Sequence, residues 1–384
     1  PTLGYMSKTI IYLLFLICLA ELSIFLKFYE WEIYQRILIY GLINFFVLFR
    51  VRIFNYIKLR ISGHIHREFC FLSFYRNVYK VFLDERCDVY HAHDLNTLPI
   101  AYLCAKRNKA KLIYDSHELY IERNKLIPSP MPWKYFLAIL ERFLIRRSDA
   151  VITVNKSIAS EMAMRYKIPS PKVVMNTPVM SKRIGKNSRG NGQLRFDLSI
   201  SDDRIVLLYV GAITFNRGLE ELILSLSFLK DCHLVYLGYG NEIFKQKLID
   251  MVNANQLSDR FSFYGPVPSE SVIEYASDSD IGVAPIINAC LSYYYCLPNK
   301  LFEYMNAGLP VVSSNFPELA RVVLENDIGL TFDPADPRDI ARSINQILSD
   351  PESRKRMASN AIQASKRYNW ENESKKLLEV YNSL

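Results

Sequence analysis

Three polar residues cluster near the start of one short predicted helix. Asn299, Lys300 and Glu303 lie in the run L-P-N-K-L-F-E-Y-M-N-A-G-L-P, Leu297 to Pro310. Pro298 is expected at the first helical position, where a missing N–H costs nothing. Leu301, Phe302 and Met305 recur at helical spacing and turn one face inward. Gly308 stops the helix, Pro310 forbids its continuation, and Leu309 to Val312 reads as a buried strand. A helix N-terminus attracts anions through its free N–H groups and its dipole. Lys300 beside it suits a diphosphate. Glu303, one turn in, can accept two hydrogen bonds from a ribose diol, or it can merely offset the dipole.

A second constellation is V-G-A-I-T-F-N-R-G, Val210 to Gly218, between a predicted strand and a predicted helix. Gly211 permits a tight turn or a close backbone approach to a ligand. Arg217 can fork onto a diphosphate, or it is a surface arginine beside a turn. Together Arg217 and Lys300 would neutralise one diphosphate without a metal. His93 and Asp94 either bind a second substrate or cap the helix that follows. Two near-motifs carry no chemistry. L-G-Y-G-N-E around Gly238 lacks the third glycine of a dinucleotide fingerprint and reads as a strand-end loop. Asp278-Ser-Asp280 sits where turns and caps favour aspartate, so no metal site is expected there.

The elements that must hold these residues alternate. Strands are expected from Val89, over Lys111 to Asp115, and over Ala150 to Val154, with helices over Leu98 to Ala105, Trp133 to Arg146 and Ser157 to Tyr166. A second series has strands Ile205 to Val210, His233 to Leu237, Phe261 to Tyr264 and Ile281 to Ala284. Its helices are Leu219 to Leu229, Ile243 to Asn253, Val272 to Ala276 and, last before the tail, Pro337 to Leu348. Such alternation means parallel sheets with right-handed crossovers. Ligands then bind beyond the carboxyl ends of strands, where His91, His93, Asp94, Asp115, His117 and Glu118 fall. The polar, Gly-rich run Lys182 to Gln193 reads as a linker, and the domain boundary is expected near it.

The run P-N-K-L-F-E-Y-M-N-A-G-L-P-V-V-S-S resembles the donor-nucleotide motif of the family 4 glycosyltransferases, and the resemblance extends from about Asp88 to the C-terminus. It implies an α/β GT-B fold of two facing Rossmann-like domains with parallel sheets. The expected domains are 1–182 on the acceptor side, 183–366 for the nucleotide-sugar, and a crossing-back C-terminal helix in 367–384. It implies transfer of a sugar from a UDP- or GDP-linked donor to a glycan or lipid-linked acceptor, with retention and with no cofactor or metal. Arg217 and Lys300 would stabilise the leaving diphosphate, Glu303 would hold the ribose, and His117 would sit at the reacting sugar unless it is only structural. Gly211, Gly238, Tyr264 and Asn299 would complete the donor site, with Tyr264 near the base, and His93, Asp94 and His117 the acceptor side. Of the family's two glutamates, Glu303 matches the second, and the first falls at Tyr295. That departure puts the contact to the donor sugar in doubt.

The 384 residues suit two ordinary domains. Seven scattered cysteines without C-x-x-C spacing read as reduced thiols in a cytoplasmic protein. The net charge is +8; residues 1–80 carry ten Lys and Arg against four Glu, 10 − 4 = +6. That basic, aromatic-rich segment points to an anionic surface or substrate rather than nucleic acid, for which no motif accompanies the charge. Thr9 to Leu26 is nearly all apolar, and Ile37 to Phe49 is a shorter run. Residues 9–60 read as peripheral contact with the inner face of a membrane or as buried helices, rather than as a span or a signal peptide. No strand–Gly–Gly–helix pattern precedes residue 80, so the first domain is expected to be truncated or diverged. Together these features suggest cell-surface polysaccharide synthesis. Rival readings are a nucleotide-sugar epimerase of the same fold, a non-catalytic homologue that binds nucleotide or a partner, and a membrane-associated scaffold.

Overall fold

The structure is a computed structural model that describes residues 77–81, 86–124, 131–180 and 192–384. The chain divides into two compact units, Pro1–Val81 and Phe82–Leu384, and both sheets belong to the second. The expectations for residues 9–60, and most of the expected linker over 182–193, lie outside the described residues. Gln193 does not belong to a linker: it opens a short helix.

The first sheet has four parallel strands in the order β1 (Val89–His93), β2 (Lys111–Ser116), β3 (Ala150–Thr153), β4 (Lys172–Val173). Helices α1 (Asp94–Asn108), α2 (Met131–Ile145) and α3 (Lys156–Tyr166) connect them. Asn155 caps α3, its side-chain oxygen accepting the N–H of Ile158.

The second sheet has six strands: β5 (Ile205–Val210), β6 (Cys232–Leu237), β7 (Phe261–Tyr264), β8 (Ile281–Ala284), β9 (Val311–Ser314) and β10 (Gly329–Phe332). Their order is β10-β9-β8-β5-β6-β7, all pairs parallel. The chain starts in the middle, at β5, and the order reverses there. That reversal opens a crevice beyond the carboxyl ends of β5 and β8. The strands are mostly apolar because both faces are covered. On β5, Leu207 and Tyr209 face α5 (Leu219–Ser225), α6 (Glu242–Ala254) and α11 (Pro337–Leu348). Val206, Leu208 and Val210 face α7 (Val272–Ala276), α9 (Asn299–Ala307), α10 (Pro317–Glu325) and α12 (Pro351–Ser365). Two short helices, α4 (Gln193–Asp197) and α8 (Leu291–Tyr294), lie before β5 and between β8 and α9.

Several boundaries differ from those expected. Pro298 is the residue before α9, in extended geometry, rather than its first helical residue. The helix from Leu219 tightens into a 3₁₀ turn over Leu226–Phe228. Helix α1 begins four residues early, at Asp94. Helices α10 and α12 and strands β4 and β10 were not anticipated. Asp278 accepts the N–H groups of Gly192 and Leu194, and Asp280 is paired with Arg195 at 2.7 Å. Asp278 thus holds the start of α4, and Asp280 its Arg195 side chain.

The last helix, α13 (Trp370–Asn382), packs Val380 against Ile113, Ile152 and Val174 of the first sheet. Glu373, fully buried, accepts the N–H of Met175.

Helix α9 is bolted to the second sheet by Tyr304. Its hydroxyl accepts the N–H of Val210 (2.9 Å), and its proton is shared between the carbonyls of Leu208 and Val283 (3.0 Å each). Gly282 on β8 makes room for the ring: a Cβ there would lie 2.4 Å from it. Gly308 ends the helix in the left-handed region, φ +71°. Replacing Tyr304 with Phe strands the buried Val210 N–H. The expected cost is about 1–3 kcal/mol of stability, measured as a lower urea midpoint at an unchanged slope; an unaltered midpoint would show that the hydroxyl does not brace the helix.

Candidate functional site

Gly211 follows β5 directly, at the mouth of the crevice. Its φ of +130° is one that side chains rarely adopt, and its N–H donates to Leu237 O. A Cβ at Gly211 would meet Lys300 Nζ at 3.5 Å. Gly238 leaves β6 at the same level. A Cβ on it would lie 2.1 Å from Gly211 O, so Gly238 exists to let the two strand-end turns touch.

Lys300 projects from the first turn of α9 into this corner. It is buried, with Nζ 3.5 Å from the centre of the Tyr209 ring. Arg217 comes from the other side, its guanidinium 4.7 Å from the centre of the Tyr293 ring. Arg217 Nε and Lys300 Nζ are both buried and have no hydrogen-bond acceptor. Buried donors are ordinarily satisfied, and two donors on cationic groups here have no partner. Burial, and then the charge of Arg217, hold the Lys300 ammonium well below the usual lysine range. Burial raises the Glu303 carboxyl, with Lys300 pulling it back. Each partner is therefore pushed toward its neutral form.

A cavity of about 200 Å³ opens beside Arg217, lined among others by His117, Glu118, Ser292, Tyr293, Cys296 and Asn299. Its walls come from both sheets. Asn124 Nδ2 donates to the Tyr293 hydroxyl (3.2 Å), Asn216 Nδ2 to Asn124 Oδ1 (3.1 Å), and Asn155 Nδ2 to the carbonyl of Tyr295 (2.7 Å).

Arg217, Asn299 and His117 thus share one cavity. Lys300 stands behind it near Gly211, and Glu303 lies deeper along α9. Tyr264 ends β7 beside Gly238, whose N–H donates to its carbonyl (3.1 Å); its ring tilts against Tyr275, and its hydroxyl donates to Asp197 (2.5 Å). It does not line the cavity.

Glu118 was placed at a strand end but given no role in the site. Among the described residues it is the carboxylate lining this cavity, and its Oε2 accepts from Ser292 Oγ at 3.3 Å. Burial, then Asp94, raise its carboxyl, while Arg123, Ser292 and Arg217 oppose the rise. Tyr295, where the family's first glutamate would fall, closes α8 and offers only its carbonyl to Asn155. A strand-end acid facing a loop 174 residues away has no signature in the sequence.

The acceptor-side residues form a histidine cluster. Asp94 opens α1 with φ +61°, and its carboxylate accepts the His117 N–H at 3.1 Å. Burial raises the Asp94 carboxyl. His93 precedes α1 but makes no side-chain cap, so the capping alternative fails for it. Its Nδ1 instead lies 2.9 Å from His117 Nε2. Burial, then the charge of His91, lower the His93 imidazole.

Comparison with known proteins gives this geometry a family. The family model described as glycosyl transferases group 1 matches residues 191–364, and the one described as glycosyltransferase family 4 matches residues 47–179. The second match begins upstream of the point where the motif resemblance starts. D-inositol 3-phosphate glycosyltransferase of Xylanimonas cellulosilytica is 23% identical over 303 residues, covering 77% of this chain and 71% of its own. Alpha-D-kanosaminyltransferase of Streptomyces kanamyceticus is 26% identical over 227 residues, covering 58% and 56%. Among solved structures, sucrose-phosphate synthase from Thermosynechococcus elongatus superposes with a TM-score of 0.67 at 19% identity, over 81% of this chain and 77% of that one. The Anabaena HepE protein in complex with UDP superposes with a TM-score of 0.65 at 17% identity, over 82% of each. Two glycosyltransferase models end to end, on two parallel sheets with a cation-lined crevice, place this chain among the family 4 glycosyltransferases of GT-B fold.

Proposed function

We propose that this glycosyltransferase moves a hexosyl group from a UDP- or GDP-sugar to a hydroxyl of a glycan or lipid-linked glycan, with retention of configuration, in cell-surface polysaccharide synthesis. The observation that carries the donor assignment is the pair of buried donors without acceptors, Arg217 Nε and Lys300 Nζ, the latter against Gly211. A nucleoside diphosphate would supply the missing acceptors. UDP is the first nucleotide to test, because the Anabaena HepE structure holds it.

In this reading Arg217 and Lys300 stabilise charge that grows on the diphosphate as the glycosidic bond breaks. The leaving phosphate oxygen takes the proton of the acceptor hydroxyl on the same face of the sugar, so no separate base is required. Glu303 accepts from the ribose diol. Glu118 accepts from hydroxyls of the donor sugar, and His117 positions the reacting end. Transfer needs no metal under this scheme. Among the described residues no helix is long and apolar enough to cross a membrane. We place the enzyme at the cytoplasmic face of a membrane, with residues 9–60 as its contact.

Three tests follow from these roles. Calorimetric titration with UDP and GDP should show one of them binding, and Glu303→Ala should weaken it at least tenfold, about 1.4 kcal/mol. Arg217→Ala should lower kcat on the order of 100-fold. No binding of either nucleotide by the folded protein would overturn the donor assignment, and binding without turnover would favour a non-catalytic homologue. Glu118→Gln should leave UDP affinity unchanged and weaken the UDP-sugar on the order of tenfold, by one hydrogen bond to a charged group; equal affinity for the sugar nucleotide would remove Glu118 from the sugar site.

Lys300 gives a proton signal. In the empty site its charged form costs stability below the depressed value, and that cost fades as pH rises toward the ordinary lysine value of 10.5. A bound diphosphate restores the charge. At alkaline pH, where Glu303 is ionised throughout, UDP binding should therefore take up protons. The binding enthalpy should vary with the ionisation enthalpy of the buffer, and Lys300→Met should abolish that variation. A buffer-independent enthalpy for the wild type would contradict it.

A further inference from the structure

The cluster at the carboxyl ends of β1 and β2 has a second chemistry. On β1, His91 and His93 are two residues apart and share a face. The parallel register sets His93 opposite Asp115. The two imidazoles stack at 4.5 Å, and Asp115 Oδ2 lies 3.4 Å from His91 Nε2 and 3.6 Å from His93 Nδ1. Bonds of about 2.0–2.1 Å to a tetrahedral zinc ion put neighbouring ligand atoms about 3.3 Å apart. Both contacts are close to that edge length and longer than a good hydrogen bond. His91 Nε2 is buried and has no hydrogen-bond partner. Its other nitrogen, Nδ1, lies 2.8 Å from the Tyr381 hydroxyl on α13. That contact orients the ring as an outer partner orients a zinc-bound histidine. His117 Nε2 stands 3.8 Å from Asp115 Oδ2 and 2.9 Å from His93 Nδ1, at the border of this group.

We propose that His91, His93 and Asp115 form a binding site for zinc or a similar late first-row divalent ion. Imidazole donors favour such an ion over magnesium and calcium, which take oxygen ligands. His93 is partly exposed, with a side-chain exposure of 59%, so an ion can enter from solvent and solvent can complete its coordination.

The test is a zinc titration of the chelator-treated full chain, in competition with a chromophoric chelator. The wild type is expected to hold a zinc ion that His91→Gln/Asp115→Asn loses. That comparison also subtracts any zinc taken by His64 and His66, which have the same H-x-H spacing. Tyr381→Phe, a change that keeps the ring, should weaken binding by about tenfold. Melting temperatures without metal confirm that the variants are folded. Cobalt in the same site should give the visible spectrum of a tetrahedral ion. Equal zinc binding by the wild type and the double variant overturns the proposal, as does an octahedral cobalt spectrum.

Discussion

The hydroxyl of Tyr304 is the joint on which the donor corner hangs. Three backbone groups from β5 and β8 converge on it, which sets where α9 begins relative to where β5 ends. Those two points carry Lys300 and Gly211. A shift of α9 would move Lys300 away from the Gly211 turn. Gly282 and Gly238 serve the same end by removing side chains where a ring and a second turn must fit. The chemistry thus depends on a few positions that contact no ligand.

Holding Lys300 Nζ and Arg217 Nε buried without acceptors is costly, because each is a donor on a charged group. The aromatic faces of Tyr209 and Tyr293 recover part of that cost. A site built this way is poised: most of what a diphosphate contributes is the charge balance that the fold withholds. Burial itself accounts for the opposing shifts of Lys300 and Glu303.

Much of the second sheet could be read directly. Its first four strands are mostly apolar runs followed by Gly or Pro, and such runs have few alternatives in a doubly covered sheet. The helix carrying Lys300 and Glu303 was legible because its stop signal, Gly308 before Pro310, is local. Helix α12 was not, because P-E-S-R-K-R-M-A-S-N-A-I-Q-A-S is mostly polar and buries few side chains, chiefly Met357, Ala361 and Ala364. Strand β4 is two residues long and shows no period. The cavity could not be assembled from the sequence. Glu118 meets Ser292, and Asn124 meets Tyr293, only through the packing of one sheet's loops on the other's. The histidine cluster was half visible. His91, His93, Asp115 and His117 were each placed at strand ends, but their convergence depends on the β1–β2 register.

Helix α13 has a consequence for how the chain is made. Val380 completes the apolar layer over β2, β3 and β4, and Tyr381 reaches His91 across 290 residues of sequence. A ribosome delivers the chain from its N-terminus, so the first sheet emerges long before its covering helix exists. It must wait, with one face unfinished, until the second sheet has been synthesised. The half made first is therefore completed last.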